Sequence, residues 1–181
     1  KQKTAYDMSY DYGFTDDPEY MIGLNLGFSW KNWEVNTQWT GAWNVSRMIS
    51  DVFRQPFVSS AGSNAGGLLS YHLDHTWTPE NPSQSAEYPR ATQVNASNNY
   101  ATSTLFEKDA KYLRLKTLQV AYNFQFPLMK KLGLTTCQLA FSGYNLLTFS
   151  PYLWGDPEAT ASNAPTYPLT KTYTLSLKLG F

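Results

Sequence analysis

Tyr20-Met21-Ile22-Gly23-Leu24-Asn25-Leu26-Gly27-Phe28-Ser29-Trp30 is the stretch that decides the fold class of this chain. Every second residue from Ile22 to Trp30 is large and apolar, and every residue between them is small or polar. Successive side chains on a strand point to opposite faces, so a period of two gives a strand with one apolar and one polar face. After Lys31-Asn32 the pattern resumes, with Trp33, Val35, Thr37 and Trp39 set against Glu34, Asn36, Gln38 and Thr40. Two long strands joined by a tight hairpin are expected.

Working outward, the same period returns three times. Leu118, Val120, Tyr122, Phe124 and Phe126 alternate with Thr117, Gln119, Ala121, Asn123 and Gln125. Upstream, Leu113 and Leu115 fall on the other parity, which places a bulge or an emergence from the apolar layer near Lys116. Cys137, Leu139 and Phe141 alternate with Gln138, Ala140 and Ser142, and Tyr173, Leu175, Leu177, Leu179 and Phe181 alternate with Thr172, Thr174, Ser176, Lys178 and Gly180. The expected strands cover about 20–31, 33–43, 112–126, 134–145 and 169–181, with long irregular loops over about 44–111 and 146–168. Those loops are rich in Asn, Ser, Pro and Gly, and short turns alternate with them.

Composition narrows the environment. Charged residues make up 15% of the 181 residues and aromatic residues 16%, with 13 Tyr, 10 Phe and 6 Trp. Average soluble chains carry about 25% charge, so this chain is built for surroundings that accept aromatic surface. Fourteen basic residues balance fourteen acidic ones, which leaves no electrostatic footprint for nucleic acid. The single Cys137 has no intrachain disulfide partner, and in an alternating strand it reads as a packing residue. Mean hydropathy is −0.43, and no run reaches the roughly 18 apolar residues of a spanning helix. Lys1-Gln2-Lys3-Thr4-Ala5-Tyr6-Asp7 shows neither an initiator Met nor a signal pattern, so the sequence is expected to start partway through a longer chain.

A backbone can cross a bilayer as strands only inside a closed barrel, and each strand then needs about 9 to 11 residues. The strands here have that reach, and long loops alternating with short turns match the outer-membrane pattern. A soluble sandwich is the competing reading, but its strands are commonly about 5 or 6 residues and its loops short. Five strands are too few to close, since the smallest bacterial barrels have about 8 and plugged transporters about 22.

Four motifs carry a family resemblance. Asp74-His75-Thr76-Trp77-Thr78-Pro79-Glu80-Asn81-Pro82, followed by Tyr88-Pro89-Arg90, resembles the large loop of the SusC/RagA family of TonB-dependent transporters. Tyr112-Leu113-Arg114-Leu115-Lys116-Thr117-Leu118-Gln119-Val120-Ala121-Tyr122, Gly143-Tyr144-Asn145-Leu146-Leu147-Thr148-Phe149 and Gly155-Asp156-Pro157-Glu158 follow in the same family's order. The ending from Tyr167-Pro168 to Leu179-Gly180-Phe181 is also similar to the family's last strand. Thr76 departs from the pattern by separating His75 from Trp77, and residues 1–15 match nothing in it.

The resemblance implies an all-β fold, namely the C-terminal strands of an antiparallel transmembrane barrel of about 22 strands with long extracellular loops. The N-terminal plug and the rest of the barrel would lie outside this chain. It further implies active import of oligosaccharides or peptides across a bacterial outer membrane, with a SusD-like surface lipoprotein as partner and TonB acting through the absent N-terminal part. No catalysis, cofactor or metal belongs to that scheme. A soluble carbohydrate-binding β-domain and a passive porin are the alternatives.

Tyr71, Trp77, Tyr152 and Trp154 lie in the expected loops, where flat rings could stack on substrate or partner, or pack on one another. His72, Asp74 and His75 are closely spaced, but no regular element aims all three at one point, so a metal is not expected. Asp156 and Glu158 read as a turn and not as an acid/base pair. Asn44-Val45-Ser46 and Asn95-Ala96-Ser97 are chance glycosylation sequons. Tyr173, Leu175, Leu177, Leu179 and Phe181 read both as a lipid-facing stripe and as a barrel-assembly signal recognised through strand pairing.

Overall fold

The computed structural model describes residues 13–56, 68–91, 99–159 and 169–181. Residues 1–12, the second sequon at Asn95 and the motif residues Tyr167 and Pro168 lie outside them. Two compact units divide the chain, a sheet unit and a loop unit.

The sheet unit contains β1 (Tyr20–Trp30), β2 (Trp33–Trp43), β5 (Tyr112–Asn123), β6 (Thr136–Phe149) and β7 (Thr172–Gly180), hydrogen-bonded in the order β1-β2-β5-β6-β7. All four pairings are antiparallel. The hairpin turn at Lys31-Asn32 places Lys31 at φ 53°, and Asn32 donates its side-chain amide to the Asn123 carbonyl at 2.8 Å. Between β5 and β6 runs a single helical turn, α3 (Leu128–Lys131), closed by Gly133 at φ 67°. That conformation suits glycine, which lacks a Cβ. Both long connections join strands at one end of the sheet, and both short ones join them at the other.

Register shows why the alternation stutters at Lys116. Thr37 faces Leu118 but Trp39 faces Leu115, so β5 carries an extra residue there. This bulge returns Leu113 and Leu115 to the face that holds Leu118, Val120 and Tyr122. On β6 the matching irregularity falls at Asn145 and Leu146, with Asn145 at φ 53°. After it, Leu147 and Phe149 face Leu115 and Leu113.

Three boundaries differ by three residues or more from those expected. β6 continues to Phe149 and does not stop at Asn145, because the bulge breaks the period without ending the ladder. β5 ends at Asn123 and not Phe126, although Phe124 still donates its backbone N–H to the Cys137 carbonyl at 2.8 Å. β7 begins at Thr172 and not Leu169, and the Thr170 carbonyl accepts instead from the Asn145 side chain at 3.3 Å.

The loop unit corrects a larger expectation. The stretch 44–111 is not irregular throughout, since β3 (Ser46–Met48) pairs antiparallel with β4 (Glu107–Asp109), and short helical turns α1 (Asp51–Arg54) and α2 (Ser70–His75) pack nearby. Backbone bonds extend the β3–β4 ladder on both sides, from Ala110 to Val45 at 2.9 Å and from Ile49 to Phe106 at 2.9 Å. Val45, Ile49, Tyr88, Tyr100 and Phe106 are buried, with Phe106 at 0% exposure. A loop this rich in large rings has enough apolar surface to collapse on itself.

Candidate functional site

Register places nearly all the large apolar residues of the five strands on one face. Across the sheet, Leu26 faces Thr37, which faces Leu118, while Phe28, Val35, Val120, Phe141 and Leu175 form the next row. These side chains are open: Phe28 is 62% exposed and Leu175 71%. Aromatic pairs bracket the aliphatic band. Tyr20 faces Trp43 at one end, and Trp30 faces Trp33 at the other. The Trp33 ring meets Tyr122 edge-on with centroids 4.8 Å apart, Tyr122 meets Phe124 at 4.8 Å, and the Lys31 ammonium lies 4.6 Å from the Trp30 ring. Trp39 satisfies its indole N–H within this face by donating to the Thr37 hydroxyl at 3.2 Å. At about 3.4 Å per residue, Tyr20 to Trp30 spans roughly 34 Å, which becomes about 24 Å along the normal if the strand tilts by about 45°. Outer-membrane barrels carry an apolar band of about 25 Å.

The opposite face is polar. Near the short turns Asn123 donates to Glu34 at 2.7 Å and receives a bond from the Gln138 amide at 2.9 Å, linking β2, β5 and β6. Near the other end Arg114 is buried; its Nε donates to the Thr148 hydroxyl at 3.1 Å, and its guanidinium lies 5.5 Å from the Tyr112 ring. A cation this close to a ring face is attracted by the ring quadrupole. Cys137 sits on the apolar face opposite Leu179.

In the loop unit three of the four aromatic residues singled out from sequence come together. Tyr71 stands edge-on to Trp154 at 6.0 Å, and Trp154 to Tyr152 at 5.7 Å. The Trp154 indole donates to the Tyr88 hydroxyl at 3.1 Å. Trp77 is held differently, through its backbone N–H to the Tyr88 carbonyl at 2.9 Å. Tyr71, Trp77, Tyr152 and Trp154 are all partly exposed.

Glu87 is the charged centre of this cluster, and the sequence did not single it out. It accepts from the Tyr71 hydroxyl at 2.8 Å and from the Lys108 ammonium at 3.2 Å, and His75 Nε2 lies 3.9 Å away. Lys108 also sits 5.2 Å from the Trp154 ring. Burial works against ionisation of Glu87, but the bonds from Tyr71 and Lys108 outweigh it and hold the carboxyl below its usual range. Burial, then the bond to Glu87, pushes the Tyr71 hydroxyl up to about 12. Burial likewise raises Tyr88, against the bond from Trp154, and raises Tyr152, against the charge of Arg47. Three segments far apart in sequence meet at Glu87, so no local pattern marks it.

The histidines are structural. His72 Nδ1 accepts the Leu69 N–H at 3.2 Å, which leaves Nε2–H to donate to the Phe53 carbonyl at 2.8 Å. His75 donates from Nδ1 to the Tyr71 carbonyl at 2.9 Å, and its ring stacks on Tyr71 at 3.8 Å. Among the described residues no group of three His, Cys, Asp or Glu could hold a metal ion. Asp156 accepts the Glu158 N–H at 2.8 Å and so closes a turn, while Arg47 Nε reaches the Pro157 carbonyl at 3.4 Å.

No family model matches the chain. Two curated proteins of Formosa agariphila are similar to it: TonB-dependent receptor P3, 27% identical over 177 residues, and TonB-dependent receptor P26, 28% identical over 182 residues. Each alignment covers 91% of this chain but only 16% and 17% of the relative. A solved structure of the RagAB peptide transporter matches 88% of the chain and 17% of its own, with TM-score 0.66 and 25% identity. The RagAB peptide importer in its closed-closed state shares the fold over 99% of this chain and 19% of its own, with TM-score 0.73 and 23% identity. This chain thus spans less than a fifth of the proteins it resembles, and its similarities are to SusC/RagA-type TonB-dependent transporters.

Proposed function

We infer that this chain is a wall segment, with attached loops, of a SusC/RagA-type TonB-dependent transporter in a bacterial outer membrane. The observation that carries this reading is the exposed apolar face: one unbroken band across five strands, bracketed by aromatic pairs, of the height a bilayer requires. The opposite face, rich in amides and hydroxyls, then lines the lumen. Strands outside this chain close a barrel of about 22 strands. Import is driven by TonB through a segment outside this chain, and no residue here breaks a bond.

The cargo is a bulky oligomer, peptide or glycan, and the similarity to RagAB weighs towards peptide. The residues 44–111 and 146–168 outside the strands lie on the extracellular side, where Tyr71, Trp77, Tyr152 and Trp154 contact substrate or a SusD-like surface lipoprotein. The mutual packing of Tyr71, Tyr152 and Trp154 supports a preformed surface over separate mobile rings. Tyr173, Leu175, Leu177, Leu179 and Phe181 face lipid and serve in addition as the assembly signal.

Mass spectrometry of the native polypeptide from detergent-extracted membranes tests the reading. A chain of about a thousand residues that co-purifies with a lipoprotein is the expected result. A detergent-free soluble product of 20.5 kDa would overturn it. Deleting Phe181 from the full-length protein is expected to lower the amount of assembled barrel at the cell surface, and an unchanged level would remove the signal role.

A further inference from the structure

At the short-turn end of the sheet a hollow of about 900 Å³ lies between the β1–β2 turn and the connection from β5 to β6. That is within the roughly 300–1,000 Å³ range of small-ligand clefts. β2 lies between β1 and β5, and β5 between β2 and β6, so strands of this chain wall it on both sides. It forms where the chain of β5 runs on past the β1–β2 turn. Asn123 donates its backbone N–H to the Asn32 carbonyl at 2.8 Å on one side, and Phe124 donates to the Cys137 carbonyl at 2.8 Å on the other.

The apolar face reaches into this hollow. The Phe124 ring stands edge-on to Tyr122, and Cys137 belongs to that face opposite Leu179. Met129, which is buried, and Leu134 add apolar lining. Lys31 stands at the rim, its ammonium 4.6 Å from the Trp30 ring at the end of the apolar band. Charge is sorted between the two ends of the sheet. The short connections 31–32 and 124–135 contain Lys31, Lys130 and Lys131 and neither Asp nor Glu, whereas acidic residues outnumber basic ones in the long connections 44–111 and 146–168. Glu34, close to the turn, lies on the polar face and is bonded to Asn123.

We propose that this hollow holds the head group of an anionic phospholipid from the membrane leaflet next to the short turns. The proposal rests on the reading of this chain as a barrel wall, and adds a lipid preference at one rim of it. A phospholipid presents a phosphate, then glycerol esters, then methylenes, and the hollow presents the matching order. Lys31 meets the phosphate, while Phe124, Met129 and Leu134 meet the first methylenes. A lysine lays its stem along apolar surface and keeps its ammonium at the polar edge, which is how Lys31 sits beside Trp30. Each Lys near an anionic surface strengthens attraction by about fivefold, so the lysines of the short connections favour an anionic head group over a zwitterionic one. A plug inside the barrel would meet the opposite, polar face.

The test uses the full-length transporter in nanodiscs of equal parts phosphatidylglycerol and phosphatidylcholine. One lipid at a time carries a diazirine near its glycerol, and adducts are mapped by mass spectrometry. Phosphatidylglycerol is expected to label the peptides around 30–33 and 124–137 about fivefold more than phosphatidylcholine does. Lys31→Gln with Lys131→Gln should cut phosphatidylglycerol labelling there about tenfold and leave phosphatidylcholine labelling unchanged, while Lys31→Arg with Lys131→Arg keeps the preference. If the glutamine pair fails to assemble, the wild type is read in low salt and in about 0.5 M salt, where screening should remove the preference.

Equal labelling of these peptides by the two lipids, a preference that survives the glutamine pair or high salt, or phosphatidylglycerol adducts confined to the long-loop end overturns the head-group site and leaves the barrel reading intact. A wild type that enters no bilayer, with neither lipid labelling the apolar face of β1, β2 and β5 to β7, overturns the barrel reading and the site with it.

Discussion

The sheet unit and the loop unit use the same residue types in opposite ways. In the sheet, Phe28 is 62% exposed and Leu175 71%, while the buried sheet residues include small ones such as Ala42, Ala121 and Ala140. In the loop unit, Phe106 is 0% exposed and Val45 1%. A single solvent cannot favour both arrangements, because water drives large apolar groups inward. On the proposed reading, the loop unit is organised for water and the apolar sheet face for hydrocarbon. An exposed Leu is informative when its neighbours on the face are exposed apolar residues too.

Phe106→Ala should produce the largest effect, about 3–5 kcal/mol lost from the loop unit. Hydrogen exchange on the full-length protein should then rise in β3, β4 and α2 and stay unchanged in β1, β2 and β5 to β7. Coupled loss of protection in the sheet would erase the contrast between the units. Leu26→Arg follows, with about 2–4 kcal/mol lost near the middle of the apolar band. Its control is Asn25→Arg on the other face, for which assembled barrel, followed by heat-modified gel mobility, should stay near the wild-type level. Equal damage from both would mean that the faces do not see different solvents.

Glu87→Gln is smaller, about 1 kcal/mol, because the group is partly solvated and its bonds are only partly shielded. Trp154 fluorescence and exchange in α2 should report it. Smallest is the response to pH. The carboxyl of Glu87 lies below its usual 4.5, so its contribution is complete above that value and fades as pH falls through the lowered folded value. Tyr71 is raised from 10.0 to about 12, so its contribution is complete below 10 and fades as pH climbs through about 12. Once corrected for intrinsic rates, exchange in α2 should rise as pH falls below about 4.5 and again as it climbs beyond about 10, and the absence of both changes would show that the Glu87–Tyr71 bond does not hold the cluster.

The sheet was legible because strand geometry writes itself into sequence with a period of two, and even the bulge at Lys116 announced itself as a change of parity at Leu113 and Leu115. Where two irregularities oppose each other, as at Asn145 and Leu146, the same reading stopped four residues early. The loop unit was opaque for a different reason. Tyr71, Glu87, Lys108 and Trp154 belong to four separate segments, and neither β3 nor β4, three residues each, is long enough to show a period. The count of rings in residues 44–111 was the available hint that this stretch holds a core and is not a solvated connection.

The three-residue ladder of β3 and β4 has a kinetic meaning. β2 must find β5 across about seventy residues of intervening chain, and the entropy of closing such a loop grows with its length. Pairing of Ser46 with Asp109 holds the two ends of that excursion together. That short ladder and the β2–β5 pairing are closed by nearly the same loop, so whichever forms first bears its entropy and leaves the other a short-range search.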